Sequence, residues 1–64
     1  MTLSEYMEMY DLTDQVMADR LGRERSVVTR YRLGQVMPSP RVIAKVEVVT
    51  GWKVRFRDWI KEVS

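Results

Sequence analysis

Apolar residues recur along this chain mostly at helical spacing, and the breaks between the helical stretches fall at glycine, proline and short polar residues. Leu3, Tyr6, Met7 and Tyr10 stand at i, i+3, i+4 and i+7 behind Thr2 and Glu5, a T-x-x-E capping box, which predicts a helix over roughly 3–10. Thr13 reads as the N-cap of a second helix starting near Asp14, with Leu12 and Met17 as its hydrophobic staple. Val16, Met17 and Leu21 give that helix an apolar stripe with the small Ala18 between them, and Gly22 follows where a left-handed terminal residue disfavours a Cβ. A new helical pattern resumes within three or four residues, with Val28 and Tyr31 on one face and Arg25, Ser26, Thr29, Arg30 and Arg32 over the rest. Gly34 is its stop. Gln35 to Pro38 form a loop, Ser39-Pro40 reads as N-cap and first position of a fourth helix carrying Val42, Ile43, Val46 and Val49, and Thr50-Gly51 ends it.

Beyond Gly51 the period changes twice. Trp52, Val54 and Phe56 alternate with Lys53, Arg55 and Arg57, the period of a half-buried strand, so a short strand is expected around 52–56. Trp59, Ile60 and Val63 return to helical spacing, and a short fifth helix is expected from about Arg57 to Val63. The fold class is therefore mainly α: one small domain of four to five helices over 1–64, without repeats or linkers, with a helix-turn-helix at about 13–33. A small Ala18 at the crossing and a glycine in the turn suit two helices that meet at close range.

Charge sharpens this picture. Residues 1–19 carry five acids and no lysine or arginine, a charge of −5, whereas residues 20–64 carry all 11 bases and sum to +7. Five arginines and one glutamate lie between Arg20 and Gln35. A basic face of this kind points to a polyanion as partner. The chain contains no cysteine and no histidine, which excludes disulfides and thiolate metal sites and removes the commonest metal ligand and general base. An enzyme, a metal site, a cofactor and a small-molecule ligand are all unexpected. No apolar run approaches the ~20 residues of a membrane helix and the acidic start lacks a signal peptide's basic n-region, so the expectation is a cytoplasmic protein with no membrane partner. A chain of 64 residues buries only ~60% of the surface its unfolded form exposes, so the core is small, and dimerisation is the remaining way to enlarge it. The five methionines are expected to fill gaps in that core. Met1 directly before a capping box suggests a natural start rather than the excised domain of a longer repressor.

LTDQVMADRLG followed by RSVVTRYRLG, with SPRVIAKVEVVTG further on, resembles the phage Cro and lambda-repressor-like helix-turn-helix regulators over about residues 3–60. The resemblance implies a serine-rich turn, a recognition helix over about 25–33, a glycine, and a further helix ending in a threonine-glycine pair. Two positions depart from the family's pattern. Asp14 stands where many relatives have a glutamine that touches a phosphate, and Glu24 occupies the usual serine or threonine cap of the recognition helix. An acid at the first position is unfavourable beside a phosphate unless a basic neighbour offsets it; at the second its charge still suits a helix N-terminus.

A recognition helix reads base edges in the major groove of double-stranded DNA with residues near its N-terminus, here Arg25, Ser26, Thr29 and Arg30. Arginine can hold guanine O6 and N7 with two bonds, while serine and threonine donate or accept. Gln15, Arg23, Arg32 and Gln35 are the candidates for phosphate contacts, which position the protein without reading sequence. A single small module makes few base contacts, so a homodimer on a pseudo-palindromic operator is expected, weakly associated when free. Its seam is expected at Trp52, Val54, Phe56, Trp59 and Ile60, residues that serve either the intramolecular core or a dimer interface. The functional expectation is a Cro-like phage or prophage repressor that occludes a promoter by occupying it. The alternative is a helix-turn-helix module that binds a protein, as an antitoxin or accessory factor, through its C-terminal aromatics.

Overall fold

Local capping chemistry marks where α-helices begin at Thr2, Thr13 and Ser39 and where they end among the described residues. The computed structural model describes residues 1–60, in the order α1 (Leu3–Met9), α2 (Asp14–Leu21), α3 (Arg25–Arg32), α4 (Pro40–Val49) and a 3₁₀ turn at Phe56–Trp59. At α1 the capping box closes as expected: Thr2 Oγ1 accepts from the Glu5 N–H at 3.1 Å, and Glu5 Oε1 accepts from the Thr2 N–H at 2.8 Å. Those bonds hold the Glu5 carboxyl below its usual range. Thr13 Oγ1 accepts from the Val16 N–H at 3.2 Å ahead of α2, and Ser39 Oγ from the Val42 N–H at 3.4 Å ahead of α4, which has Pro40 in its first turn.

The four helices also end alike. The N–H of the residue just after each left-handed position reaches back to a carbonyl five residues earlier: Leu12 to Met7 at 2.8 Å, Arg23 to Ala18 at 2.9 Å, Gln35 to Arg30 at 3.0 Å and Trp52 to Glu47 at 2.7 Å. Gly22 at φ 66° serves this turn after α2, and Asp11 at φ 54° serves it after α1, where a short polar side chain tolerates the left-handed region.

The core joins Leu3, Tyr6 and Met7 of α1, Met17, Ala18 and Leu21 of α2, Val28 of α3, Val42 and Val46 of α4, and Val54. Ala18 and Leu21 are fully buried, and that close approach lets α2 and α3 cross directly. α3 contributes only one fully buried residue, Val28, so most of its arginine-rich surface is left outside. Not every apolar position joins the core. Met7 and Met17 are buried, but Met9 and Met37 are exposed, one at the end of α1 and the other in the α3–α4 loop, beyond any helical stripe. Tyr10 and Val16 are likewise exposed, and Tyr10 stacks on Tyr6 with ring centroids 4.7 Å apart.

The C-terminal expectations need correction. No strand forms among the described residues. Trp52 has φ 67°, a left-handed conformation that no strand accommodates, and it follows Gly51 at φ 62°. The two successive left-handed residues fold the chain back on α4, where its polar backbone finds side-chain partners instead of a neighbouring strand. Buried Thr50 donates its hydroxyl to the Val46 carbonyl at 2.7 Å and accepts the Val54 N–H at 3.2 Å; Glu47 Oε2 accepts the Phe56 N–H at 3.1 Å. The fifth helix reduces to the 3₁₀ turn, which ends at Ile60 in an extended conformation; the expected continuation through Lys61 and Val63 lies outside the described residues. Asp58 fastens this turn by accepting the Arg55 N–H at 2.8 Å and the Met1 amine at 3.1 Å. Burial pushes its carboxyl up, and those donors outweigh it to leave the carboxyl below its usual range.

Candidate nucleic-acid interface

The surface that α3 presents follows from its single buried anchor. With Val28 inward, Arg25, Ser26 and Arg30 are exposed, Thr29 is half-buried, and Ser26, Thr29, Arg30 and Leu33 share the outward helical face by their spacing. Three of the four expected base-reading residues thus share one accessible side of the helix, and Arg25 stands exposed at its edge, beside Thr29. Leu33, 55% exposed at the C-cap, joins them; the sequence gives no warning, because a leucine at the end of a helix reads as core. Glu24 caps α3 by backbone position alone, with no side-chain bond among the described residues.

The expected phosphate-contacting residues divide. Arg23 and Gln35 are exposed; Gln15 is exposed too but donates to Asp19 Oδ1 at 2.9 Å along its own helix. Arg32 is engaged elsewhere. Its Nε donates to Asp14 Oδ1 at 2.7 Å and its Nη2 to Asp14 Oδ2 at 3.1 Å, a two-point ion pair joining the start of α2 to the end of α3. Thr29 completes the cluster by donating to Asp14 Oδ2 at 2.7 Å. The Asp14 and Arg32 side chains are 19% and 33% exposed, so water screens the pair only in part. The Arg32 guanidinium, then the Thr29 hydroxyl, hold the Asp14 carboxyl below its usual range, and Asp14 in turn raises the guanidinium.

Asp14, an acid expected to be unfavourable beside a phosphate unless a basic neighbour offsets it, therefore has that base within the protein itself. The sequence marks Asp14 as an acid that needs a basic neighbour and Arg32 as a base, but not that the two meet. The signal available was the rotation of α3: Arg25, Thr29 and Arg32 fall on one edge at i, i+4 and i+7, beside the α2 face that crosses it.

Thr29 is constrained by the same cluster. Its hydroxyl oxygen lies 3.0 Å from the Arg25 carbonyl as well as 2.7 Å from the partly buried Asp14 carboxylate, and both are acceptors. A hydroxyl has one proton, so toward a ligand Thr29 offers lone-pair density and a methyl group.

The candidate dimer residues also divide. Trp52, Phe56 and Ile60 are exposed at 58%, 44% and 48%, whereas Val54 is fully buried within the protomer and offers no surface to a partner. Strand alternation sets Val54 beside the aromatics; the left-handed turn at Trp52 breaks that alternation and sends Val54 into the core. Trp59 is half-buried, edge-on to Tyr31 with centroids 6.2 Å apart. Its Nε1–H has no hydrogen-bond partner among the described residues, and the ring borders an open groove of about 310 Å³ shared with Tyr31, Leu33 and Met37.

Among the described residues no helix is long and apolar enough to cross a membrane. Compared with protein-family models, curated proteins and solved structures, the chain finds no match in any of the three.

Proposed function

We propose that this protein is a sequence-specific, cytoplasmic DNA-binding regulator of the Cro kind, acting as a homodimer on a pseudo-palindromic operator with α3 in the major groove. The observation that supports this reading best is the mounting of α3: one buried valine and a crossing against α2 leave Ser26, Thr29 and Arg30 together on an accessible face, with Arg25 exposed at its edge. Arg25 and Arg30 suit guanine, through O6 and N7. Thr29, with its proton committed within the protein, suits the amino donors of adenine or cytosine, or packs its methyl on thymine. Arg23 and Gln35 serve the flanking phosphates, and two protomers read half-sites ~34 Å apart.

Selection of bound sequences from a random pool of duplex DNA tests this reading. Enriched inverted repeats are the expected result, and a pool that stays random overturns it. With about six phosphates neutralised per dimer, log K falls against log salt with a slope of roughly −5. Exposed Trp52, Phe56 and Ile60 support a second reading, a helix-turn-helix module that binds a protein. Alanine at Arg25 and Thr29 separates the two, since a protein-binding module using those aromatics loses nothing.

A further inference from the structure

We infer that Asp14 sets the strength of DNA-backbone binding: by holding the Arg32 guanidinium at two points it withholds one cation per protomer from the DNA phosphates and so lowers sequence-independent affinity. This rests on the DNA-binding reading of α3. Arg32 belongs to the arginine-rich helix and lies on the edge beside Thr29, next to the reading face. Unrestrained, so placed, it would be a phosphate ligand that strengthens binding to every sequence alike. Its Nε and Nη2 are instead both spent on Asp14, in the planar fork arrangement that carboxylate and phosphate equally satisfy. Asp14 is itself fixed by the Thr29 hydroxyl at 2.7 Å, so the carboxylate does not swing away with Arg32 to release it. A phosphate would have to displace a partly buried carboxylate of the same geometry and then leave that carboxylate unpaired beside the DNA. The base-facing residues Arg25, Ser26 and Arg30 are not in this ion pair, so the restraint falls on backbone affinity rather than on reading.

The test is the salt dependence of binding to the selected operator and to a random duplex of equal length, for the wild type, Asp14→Asn, Arg32→Gln and the double variant, with circular dichroism confirming that each is folded. In Asp14→Asn the slope of log K against log salt steepens by about 0.9 per bound protomer on both duplexes. Affinity for the random duplex and for the operator rises by the same factor, so the ratio between the two stays that of the wild type. Arg32→Gln alone leaves the wild-type slope unchanged, and the double variant returns to it. An Asp14→Asn slope equal to that of the wild type overturns the inference. So does a flattening of the slope by Arg32→Gln alone, which needs no folded Asp14 variant to be read. A wild-type chain that binds neither duplex overturns the DNA reading itself, and this inference with it.

Discussion

The chain leaves a helix through a left-handed glycine at both Gly22 and Gly51, with the same back-reaching hydrogen bonds and nearly the same φ, 66° and 62°, yet the two exits lead to different structures. After Gly22 the chain resumes as α3 at Arg25; after Gly51 it stays left-handed for a second residue, Trp52, and makes no further α-helix among the described residues. The cap is therefore not what decides. What differs is the support waiting for the next segment. α3 enters through Val28 the same buried cluster as Ala18 and Leu21 and is tied to α2 a second time by Asp14, Thr29 and Arg32. The segment after Gly51 has one fully buried anchor, Val54, with Trp59 half-buried against Tyr31, and is otherwise held by polar bonds from Thr50, Glu47 and Asp58.

Removing the apolar support is the strongest way to break this contrast. Leu21→Ala empties a fully buried site at the α2–α3 crossing and is expected to cost about 2–5 kcal/mol. In a chain this small that is a large share of the total, and urea denaturation reads it as a lower midpoint or as outright unfolding. Arg25→Ala tests function on the same element without touching its support. Arg25 is exposed, so stability stays within about 0.5 kcal/mol, while binding to the selected operator weakens by about 1–3 kcal/mol with relaxed preference at one base position. Equal losses on operator and random DNA would move Arg25 from base reading to the phosphates.

The polar tie makes a smaller, pH-dependent contribution. Asp14→Ala is expected to cost about 1–2 kcal/mol at neutral pH, between the values of an exposed ion pair and a buried charged hydrogen bond. Because Arg32 and Thr29 hold the Asp14 carboxyl below its ordinary value of 3.8, the tie is at full strength above that value and is lost as the pH falls through the depressed one. The stability difference between wild type and Asp14→Ala must then shrink toward zero on acidification. A difference that persists in strong acid would mean that the variant fails through packing. Glu5 and Asp58 are lowered too, so the whole protein weakens in acid, and only the difference isolates Asp14.

Both exits can be compared directly by replacing their glycines. Gly22→Ala and Gly51→Ala each force a Cβ into the left-handed region and are expected to cost about 1 kcal/mol. At Gly51 the added carbon meets open space. At Gly22 it comes within 3.4 Å of Lys45 Nζ, the movable end of a flexible side chain. Equal shifts in thermal midpoint support the view that the caps are equivalent and that only the following segment differs.

The same contrast explains what the sequence reveals. Helix starts and stops are encoded within a few residues, in Thr2, Thr13 and Ser39 ahead of helices and Gly22, Gly34 and Gly51 behind them, and all of these act where the pattern places them. The region after Gly51 misleads because alternation is a statement about a straight backbone. Trp52 at φ 67° ends that straightness, and no feature of a tryptophan announces a positive φ. In the candidate site, the exposure of Arg25, Ser26 and Arg30 follows from helical periodicity alone. The Asp14–Arg32 pair does not, since it depends on the crossing of two helices, and a separation of 18 residues leaves no local mark.

Trp52 offers the finest test. A tryptophan at φ 67° is strained where asparagine or glycine is not, and at 58% exposure it recovers little of that cost from the core. Trp52→Asn is therefore expected to change the unfolding free energy by less than about 0.5 kcal/mol, because relief of strain offsets the packing lost. If the proposed dimer uses this surface, association is a different matter: a tryptophan anchor is commonly worth about 2 kcal/mol or more, so sedimentation should show the dimer weakened at least ~tenfold while each protomer remains as stable as before. Unchanged association would instead move the seam to Phe56 and Ile60, leaving the left-handed Trp52 without a role in assembly. A large loss of stability would show that the turn after Gly51 relies on the indole for its shape, and would bring the two exits closer in character than their described contacts make them.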